Sequence, residues 1–238
     1  MYFYIKQYAI PLYAVMLIVA FISMFLFIGI SLHKYKVSFI LIGYSLIITT
    51  FCVVSGAVIF HVLTSFKGEF EITNIGLSSY GGAIGLILST FLFVALYKNN
   101  RSEIISIHFL AIPLMYGISK LGCFWGGCCY GIPYDKTGYV QYDIYNTPTI
   151  PLFPVQLVES VTFLLIFLLC CYLFFYKKFK YTLETLIICC AVAKFYLDYL
   201  RYSHIEVGIS VNQIVSLIFI GIAFVSLIVK TLIPHNEK

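Results

Sequence analysis

Seven apolar runs, each close to the length that crosses a lipid bilayer, take up most of this sequence. A spanning helix needs about 20 mainly apolar residues. The first three runs extend from about Pro11 to Leu32, Val37 to Leu63 and Leu77 to Tyr97. A fourth begins near Ile104 and reaches a glycine-rich stretch at Gly117 to Gly131. The last three cover Val155 to Tyr176, Leu183 to Leu200 and Ile209 to Ile233. The first run is too long for a signal-peptide core, and no small-residue cleavage site follows it, so it is expected to be retained. A soluble domain of 238 residues needs a charged skin; with 61% hydrophobic and 11% charged residues, this chain has too little charge to make one. The expected fold is an all-α polytopic membrane protein of about seven helices. It forms one transmembrane domain over 1–238, with no internal repeat.

Basic residues set the expected orientation. Alternate loops and ends hold Lys34, Lys36, Lys98, Arg101, Lys177, Lys178, Lys180, Lys230 and Lys238. The other set holds Lys6, Lys67 and Lys136, with Lys120, Lys194 and Arg201 inside polar motifs. The bias predicts an N-terminus outside and a cytoplasmic C-terminus. The net charge of +5 is scattered in short clusters, which excludes a nucleic-acid footprint. One connection is long: Ile132 to Pro154, expected on the outer side. Tyr139 to Tyr142 suit a small hairpin there, and Pro148, Pro151 and Pro154 exclude a helix.

The cysteines include three vicinal pairs, Cys128-Cys129, Cys170-Cys171 and Cys189-Cys190, with Cys52 and Cys123 besides. No Cys-x-x-Cys occurs and no His lies at zinc-finger spacing, so neither a metal nor a cofactor is expected. The two pairs inside apolar runs read as small hydrophobes.

Polar groups at membrane depth are costly, and each asks for a partner or a role. Ser78 to Gly85 opens the third run. Its Gly81 and Gly85 form a small-xxx-small face for helix packing, and its glycines and Tyr80 equally suit close approach of a lipid head group. In the fourth run, five glycines between Gly117 and Gly131 predict a broken or re-entrant segment with Lys120 at the break. A cation beside loosened amides is what a phosphate needs, whereas a snorkelling lysine needs no ligand. Gln156 and Glu159 share one face of the fifth run. Glu159 reads either as a base or as the counterion of a buried cation. Lys194, Asp198 and Arg201 line one stripe of the sixth, with a net positive charge facing the bundle, and Gln213 of the seventh is placed to join them. His33, His61 and His108 read as helix-end or packing residues. Together these places predict a cavity for an anionic lipid head group.

The order of these segments resembles the prolipoprotein diacylglyceryl transferase family of bacterial inner membranes. The matching pieces are Ser79-Tyr80-Gly81-Gly82, Lys120-Leu121-Gly122-Cys123-Phe124, Gly127-x-x-x-Gly131, Pro154-x-Gln156-x-x-Glu159, Lys194-x-x-x-Asp198-x-x-Arg201 and Gln213. The resemblance covers about Leu77 to Ile220. It implies transfer of a diacylglyceryl group from phosphatidylglycerol to the lipobox cysteine of a prolipoprotein, in the bacterial cytoplasmic membrane, with release of glycerol phosphate. By position, Lys120 and Lys194 fall where the family has arginines, and Tyr80 where it usually has a histidine. Cys123 and Cys128 replace an asparagine and a glutamate, and the Cys-Phe-x-x-Gly-Cys-Cys-x-Gly form is similar to a divergent branch.

The resemblance therefore implies Tyr80, Lys120, Glu159 and Lys194 as catalytic residues. It implies Gly81, Gly82, Lys120, Gln156, Lys194, Arg201 and Gln213 as lipid- or phosphate-binding residues. Cys123 and Cys128 are possible reactive thiols, with Cys128 expected to be acidified by Lys120. The departures motivate a second reading, a non-catalytic relative that binds an anionic phospholipid or a lipoprotein precursor. A thiol oxidoreductase using Cys123, Cys128 and Cys129 is a third.

Overall fold

Seven α-helices follow from the seven apolar runs in the computed structural model, which describes residues 3–6, 11–65, 77–144, 147–205 and 208–232. They are α1 (Leu12–Lys34), α2 (Phe39–Ser65), α3 (Ser79–Leu96), α4 (Arg101–Trp125), α5 (Val155–Phe175), α6 (Thr182–Asp198) and α7 (Val211–Leu232). Six are long and apolar enough to cross a membrane. The exception is α6, whose 17 residues extend about 25 Å, at the short end of what spans hydrocarbon. Large apolar side chains such as Ile47, Phe51, Leu165 and Leu168 remain at least 60% exposed, a surface that only lipid can cover without cost. The chain is a multi-pass membrane protein.

The chain divides into two compact units, one of residues 22–112 and one of 1–21 with 113–238, with α1 and α4 each contributing to both. In the first, α2 and α3 meet backbone to backbone. A methyl group on Gly56 would overlap the Gly81 carbonyl, and one on Gly81 or Gly85 would overlap the carbonyls of Gly56 or Cys52. Ser78 caps α3 by accepting a hydrogen bond from the Gly81 amide, 3.4 Å, and its own amide donates to Ala57 O. His108, fully buried, holds Ile104 O through Nδ1 at 2.8 Å and meets Ser45 Oγ through Nε2 at 2.9 Å. That makes it the packing residue its sequence context suggested.

In the second unit, the connection between α4 and α5 is a small packed cap. Strand β1 (Phe3–Lys6) pairs in parallel with β2 (Val140–Asp143), Phe3 opposite Val140 and Lys6 opposite Asp143. The expected local hairpin over Tyr139 to Tyr142 is thus corrected: β2 takes its partner strand from the N-terminus. Its local antiparallel contact is a bridge from Val140 to Leu152. Ile5, Phe124, Val140, Tyr142 and Leu152 form the core of the cap, with Tyr130, Ile144 and Leu157 packed against it. No apolar run marks Phe3–Lys6, because a four-residue strand has too few positions to display a period.

The fourth helix also differs from expectation. It runs unbroken through Gly117, Lys120 and Gly122 to Trp125, and the chain leaves the helix only at Gly126-Gly127. The reason is packing. A Cβ at Gly117 would lie 2.8 Å from the Leu164 side chain, and one at Gly122 3.0 Å from Met16 Cβ and 3.1 Å from Tyr13 O. These glycines repay their low helix propensity with close helix contacts. The true break has Gly127 at φ +63 and Cys129 at φ +54, left-handed conformations that glycine tolerates and cysteine rarely adopts.

Candidate anion site

Glu159 lies a turn into α5, fully buried, and three cations from three elements converge on it. Lys120 of α4 approaches Oε2 at 3.1 Å. Lys194 of α6 approaches Oε1 at 2.9 Å, and Arg201, just beyond α6, reaches the same oxygen through Nη2 at 2.6 Å. None of the three cations is more than 9% exposed. The Tyr116 hydroxyl completes the cluster, donating to Glu159 Oε1 at 2.9 Å and accepting from Lys194 Nζ at 2.6 Å and from Arg201 Nη2 at 3.3 Å. Lys120 and Lys194 each stand 5.1 Å from the centroid of the Tyr116 ring, within range of a cation–π attraction.

Charge decides what this arrangement can do. Three formal cations face one carboxylate, and Asp198 adds a second, more distant one, 3.6 Å from Arg201 Nε. Asp198 is mainly engaged elsewhere, accepting from Ser210 Oγ and from Asn212 Nδ2 where α7 begins. A buried surplus of positive charge is costly unless an anion shares it. Among the described residues Arg201 Nε makes no hydrogen bond, its ion-pair partner Asp198 Oδ1 standing 3.6 Å away.

The position of Arg201 is set by backbone. Gly131 and Arg201 form an antiparallel bridge, with Ile132 N donating to Leu200 O at 3.0 Å and Tyr202 N to Tyr130 O at 3.1 Å. Phe153 N donates to Ile132 O on the other side, and a Cβ on Gly131 would overlap the Phe153 carbonyl. Gly131 therefore serves close approach: it lets three chain segments meet and fixes where the guanidinium leaves the backbone.

The other residues singled out in the sequence divide in two. Gln156, fully buried, donates through Nε2 to Cys128 O at 2.9 Å and to Tyr142 Oη at 3.1 Å, while its Oε1 has no hydrogen-bond partner among the described residues. It ties the Cys128 turn to the cap rather than touching the cations. Gln213 likewise stands one step removed. Its Oε1 meets His204 Nε2 at 2.9 Å and accepts from Ser210 N at 3.0 Å, and Ser210 leads to Asp198. Lys194 pairs with Glu159 and not with Asp198, because α5 offers a closer carboxylate than its own helix. Tyr80, Gly81 and Gly82 belong to the unit of residues 22–112. Tyr80 is buried, Gly81 is committed to the α2 contact, and a Cβ on Gly82 would meet side chains only at 3.7 Å or more.

Sequence reasoning missed Tyr116 and His204. Tyr116 is readable in retrospect, since it sits four residues before Lys120 on one helix face. Nothing local marks His204.

The sulfur atoms of Cys123, Cys128 and Cys129 lie within 4.8 Å of one another, and this is the one such group of potential metal ligands among the described residues. Hydrogen bonds from Cys123 and Cys128, then the Lys120 cation, hold the Cys129 thiol below its ordinary range. Hydrogen bonding with Cys123 and Cys129 pushes Cys128 up. Within the cluster Cys128 is thus held as a hydrogen-bond donor and Cys129 as an acceptor.

Helices that leave large apolar side chains exposed, together with a buried cluster in which cations outnumber carboxylates, define a multi-pass membrane protein with a charged interior site. The chain belongs to the prolipoprotein diacylglyceryl transferase family, whose model matches residues 1–229. A phosphatidylglycerol–prolipoprotein diacylglyceryl transferase of Campylobacter curvus is 34% identical over 166 residues, 65% of this chain and 58% of that protein. One of Clostridium tetani is 29% identical over 49% of this chain and 51% of its own length. One of Tolumonas auensis is 35% identical over 45% and 41%. The chain spans between half and two-thirds of the length of the first relatives it matches.

Proposed function

We propose that this chain transfers a diacylglyceryl group from phosphatidylglycerol to the thiol of a lipobox cysteine in a prolipoprotein. The reading places it in the bacterial cytoplasmic membrane, N-terminus outside. The observation that carries it is the convergence of Lys120, Lys194 and Arg201 on the single carboxylate of Glu159, with cations in excess. A phospholipid phosphate is the anion that a bilayer supplies to such a place. Membership of the family, and relatives named as phosphatidylglycerol–prolipoprotein diacylglyceryl transferases, support the same substrate pair.

In this reaction a sulfur–carbon bond forms at the glycerol carbon that carried the phosphate, and the carbon–oxygen bond to phosphate breaks. In net balance, the thiol proton ends on the released glycerol phosphate. Lys120, Lys194 and Arg201 stabilise the negative charge that gathers on the leaving phosphate. Glu159, ion-paired to all three, acts as their counterion and orients them. Gln156 holds the turn that carries Cys128, and Gln213 holds His204 and, through Ser210, Asp198. By motif position alone, Tyr80 with Gly81 and Gly82 is assigned to handling the lipid or thiol.

Complementation of a strain depleted of its own transferase tests this reading, with the mass of a reporter lipoprotein as readout. The wild-type chain should add the diacylglyceryl mass, and Lys120→Ala should abolish it while folded protein persists. Unmodified lipoprotein with the wild-type chain would favour the second reading, a relative that binds anionic lipid without transfer. What motivates that alternative is the coincidence of Tyr80, Lys120 and Cys128 at positions where the resemblance implies a histidine, an arginine and a glutamate.

A further inference from the structure

The proposed transfer leaves three sulfur atoms unused. Cys123 is on the last turn of α4, and Cys128 and Cys129 are in the turn that follows. That turn is built, not loose. Cys128 N donates to Cys123 O at 3.1 Å, and Gln156 Nε2 holds the Cys128 carbonyl from the α5 side at 2.9 Å. Gly127 and Cys129 both adopt left-handed backbone, which cysteine rarely does. The result is visible: the chain doubles back, and all three sulfur atoms come within 4.8 Å of one another. Cys123 is buried, Cys128 half-buried and Cys129 exposed, so the cluster is closed on one side and open on the other.

We propose that Cys123, Cys128 and Cys129 form a three-sulfur site for one soft d10 cation, Cu(I) or Zn(II). Metal–sulfur bonds of about 2.3 Å place sulfurs roughly 3.8–4 Å apart around a shared ion, so closing the observed cluster needs a movement of about 1 Å or less. Thiolate donors select this class of ion. Among the described residues no fourth Cys, His, Asp or Glu joins the group. Cu(I) is satisfied by three sulfurs, whereas Zn(II) keeps its fourth position for water. Each thiol gives its proton to solvent as its metal–sulfur bond forms. Lys120, one turn before Cys123 on the same helix, offsets the negative charge of the resulting thiolates. A disulfide would use two of the sulfurs and leave the third without a reason to be there. Cys170, Cys171, Cys189 and Cys190, inside α5 and α6, form no comparable group among the described residues. This inference is independent of the transferase reading.

The full chain, reduced and purified in detergent without oxygen, is titrated with Cu(I) released from a chromophoric chelator and, separately, with Zn(II). Bound metal per chain and alkylation of each cysteine are read by mass spectrometry. The expected result is one ion per chain, with Cys123, Cys128 and Cys129 protected and the cysteines of α5 and α6 alkylated at an unchanged rate. Cys123→Ser and Cys129→Ser should each weaken binding by at least about a hundredfold. Cys170→Ser should bind as wild type. The wild-type protection pattern needs no variant, so a misfolded substitution cannot hide the answer. Equal alkylation with and without metal, binding that survives both serine variants, or a Cys123–Cys128 disulfide in place of metal uptake would overturn the proposal.

Discussion

Arg201 Nη2 lies 2.6 Å from Glu159 Oε1, across 42 residues of sequence and from the far side of a backbone bridge to Gly131. Glu159 is where the cation cluster closes, and removing its charge leaves Lys120, Lys194 and Arg201 buried together without it. Breaking a buried ion pair from one side costs about 3–5 kcal/mol, and here three partners are stranded at once. Glu159→Gln should therefore lower thermal stability in detergent sharply. Adding Lys194→Met to it should restore part of the loss, because the pair is coupled. A double variant no more stable than Glu159→Gln alone would show that the carboxylate acts on something other than these cations.

Lys120 offers a phosphate one point charge rather than the planar fork of an arginine. Lys120→Met should weaken binding of phosphatidylglycerol, followed by native mass spectrometry, by about tenfold to a hundredfold, the scale of one charge-assisted hydrogen bond. Lys120→Arg should hold or improve affinity, since a guanidinium adds a second donor in fixed geometry. Loss of binding in the arginine variant would mean that the site is shaped around lysine.

Tyr116→Phe separates ring from hydroxyl. The ring that faces Lys120 and Lys194 at 5.1 Å stays, while the three hydrogen bonds of the hydroxyl go. With charged partners, a stability loss of about 1.5–3 kcal/mol is expected from unfolding measurements. Turnover should fall more than lipid affinity, because the hydroxyl's hydrogen bonds go to Glu159, Lys194 and Arg201 and position the cations. Equal falls in both would place the hydroxyl against the substrate itself.

The membrane fold was legible because apolar runs of spanning length leave a chain few alternatives. Glu159, Lys120, Lys194 and Arg201 were legible because charge is rare enough at membrane depth to be conspicuous. Their partnership was not. Lys194 and Asp198 are four apart on one helix, and local spacing pairs them, yet Lys194 goes to Glu159 of α5. The same limit explains the fourth helix. Glycine content predicted a break at Lys120, but Gly117 and Gly122 are spent on contacts with Leu164, Tyr13 and Met16, which only the folded chain reveals. Strand β1 was invisible because its partner, β2, lies more than a hundred residues away and neither strand is long enough to show a period.

The three glycines of α3 separate packing from function. Gly81 and Gly85 sit where a methyl would overlap backbone carbonyls of α2, and backbone cannot step aside as a side chain can. Gly81→Ala and Gly85→Ala should each cost about 1–3 kcal/mol or more, the range for overpacking a filled contact. Gly82 has room: a Cβ there would make ordinary contact with Val53 and Ala57 side chains at 3.7 and 3.8 Å. Gly82→Ala should leave stability within about 0.5 kcal/mol and remove a glycine from a helix interior, which by propensity is slightly favourable. Unfolding of the three variants in detergent checks the order, with complementation run beside it. Full stability with lost lipoprotein modification in Gly82→Ala would show that Gly82 is kept for close approach of a ligand. Full stability with full activity would leave the glycines of α3 to helix packing alone.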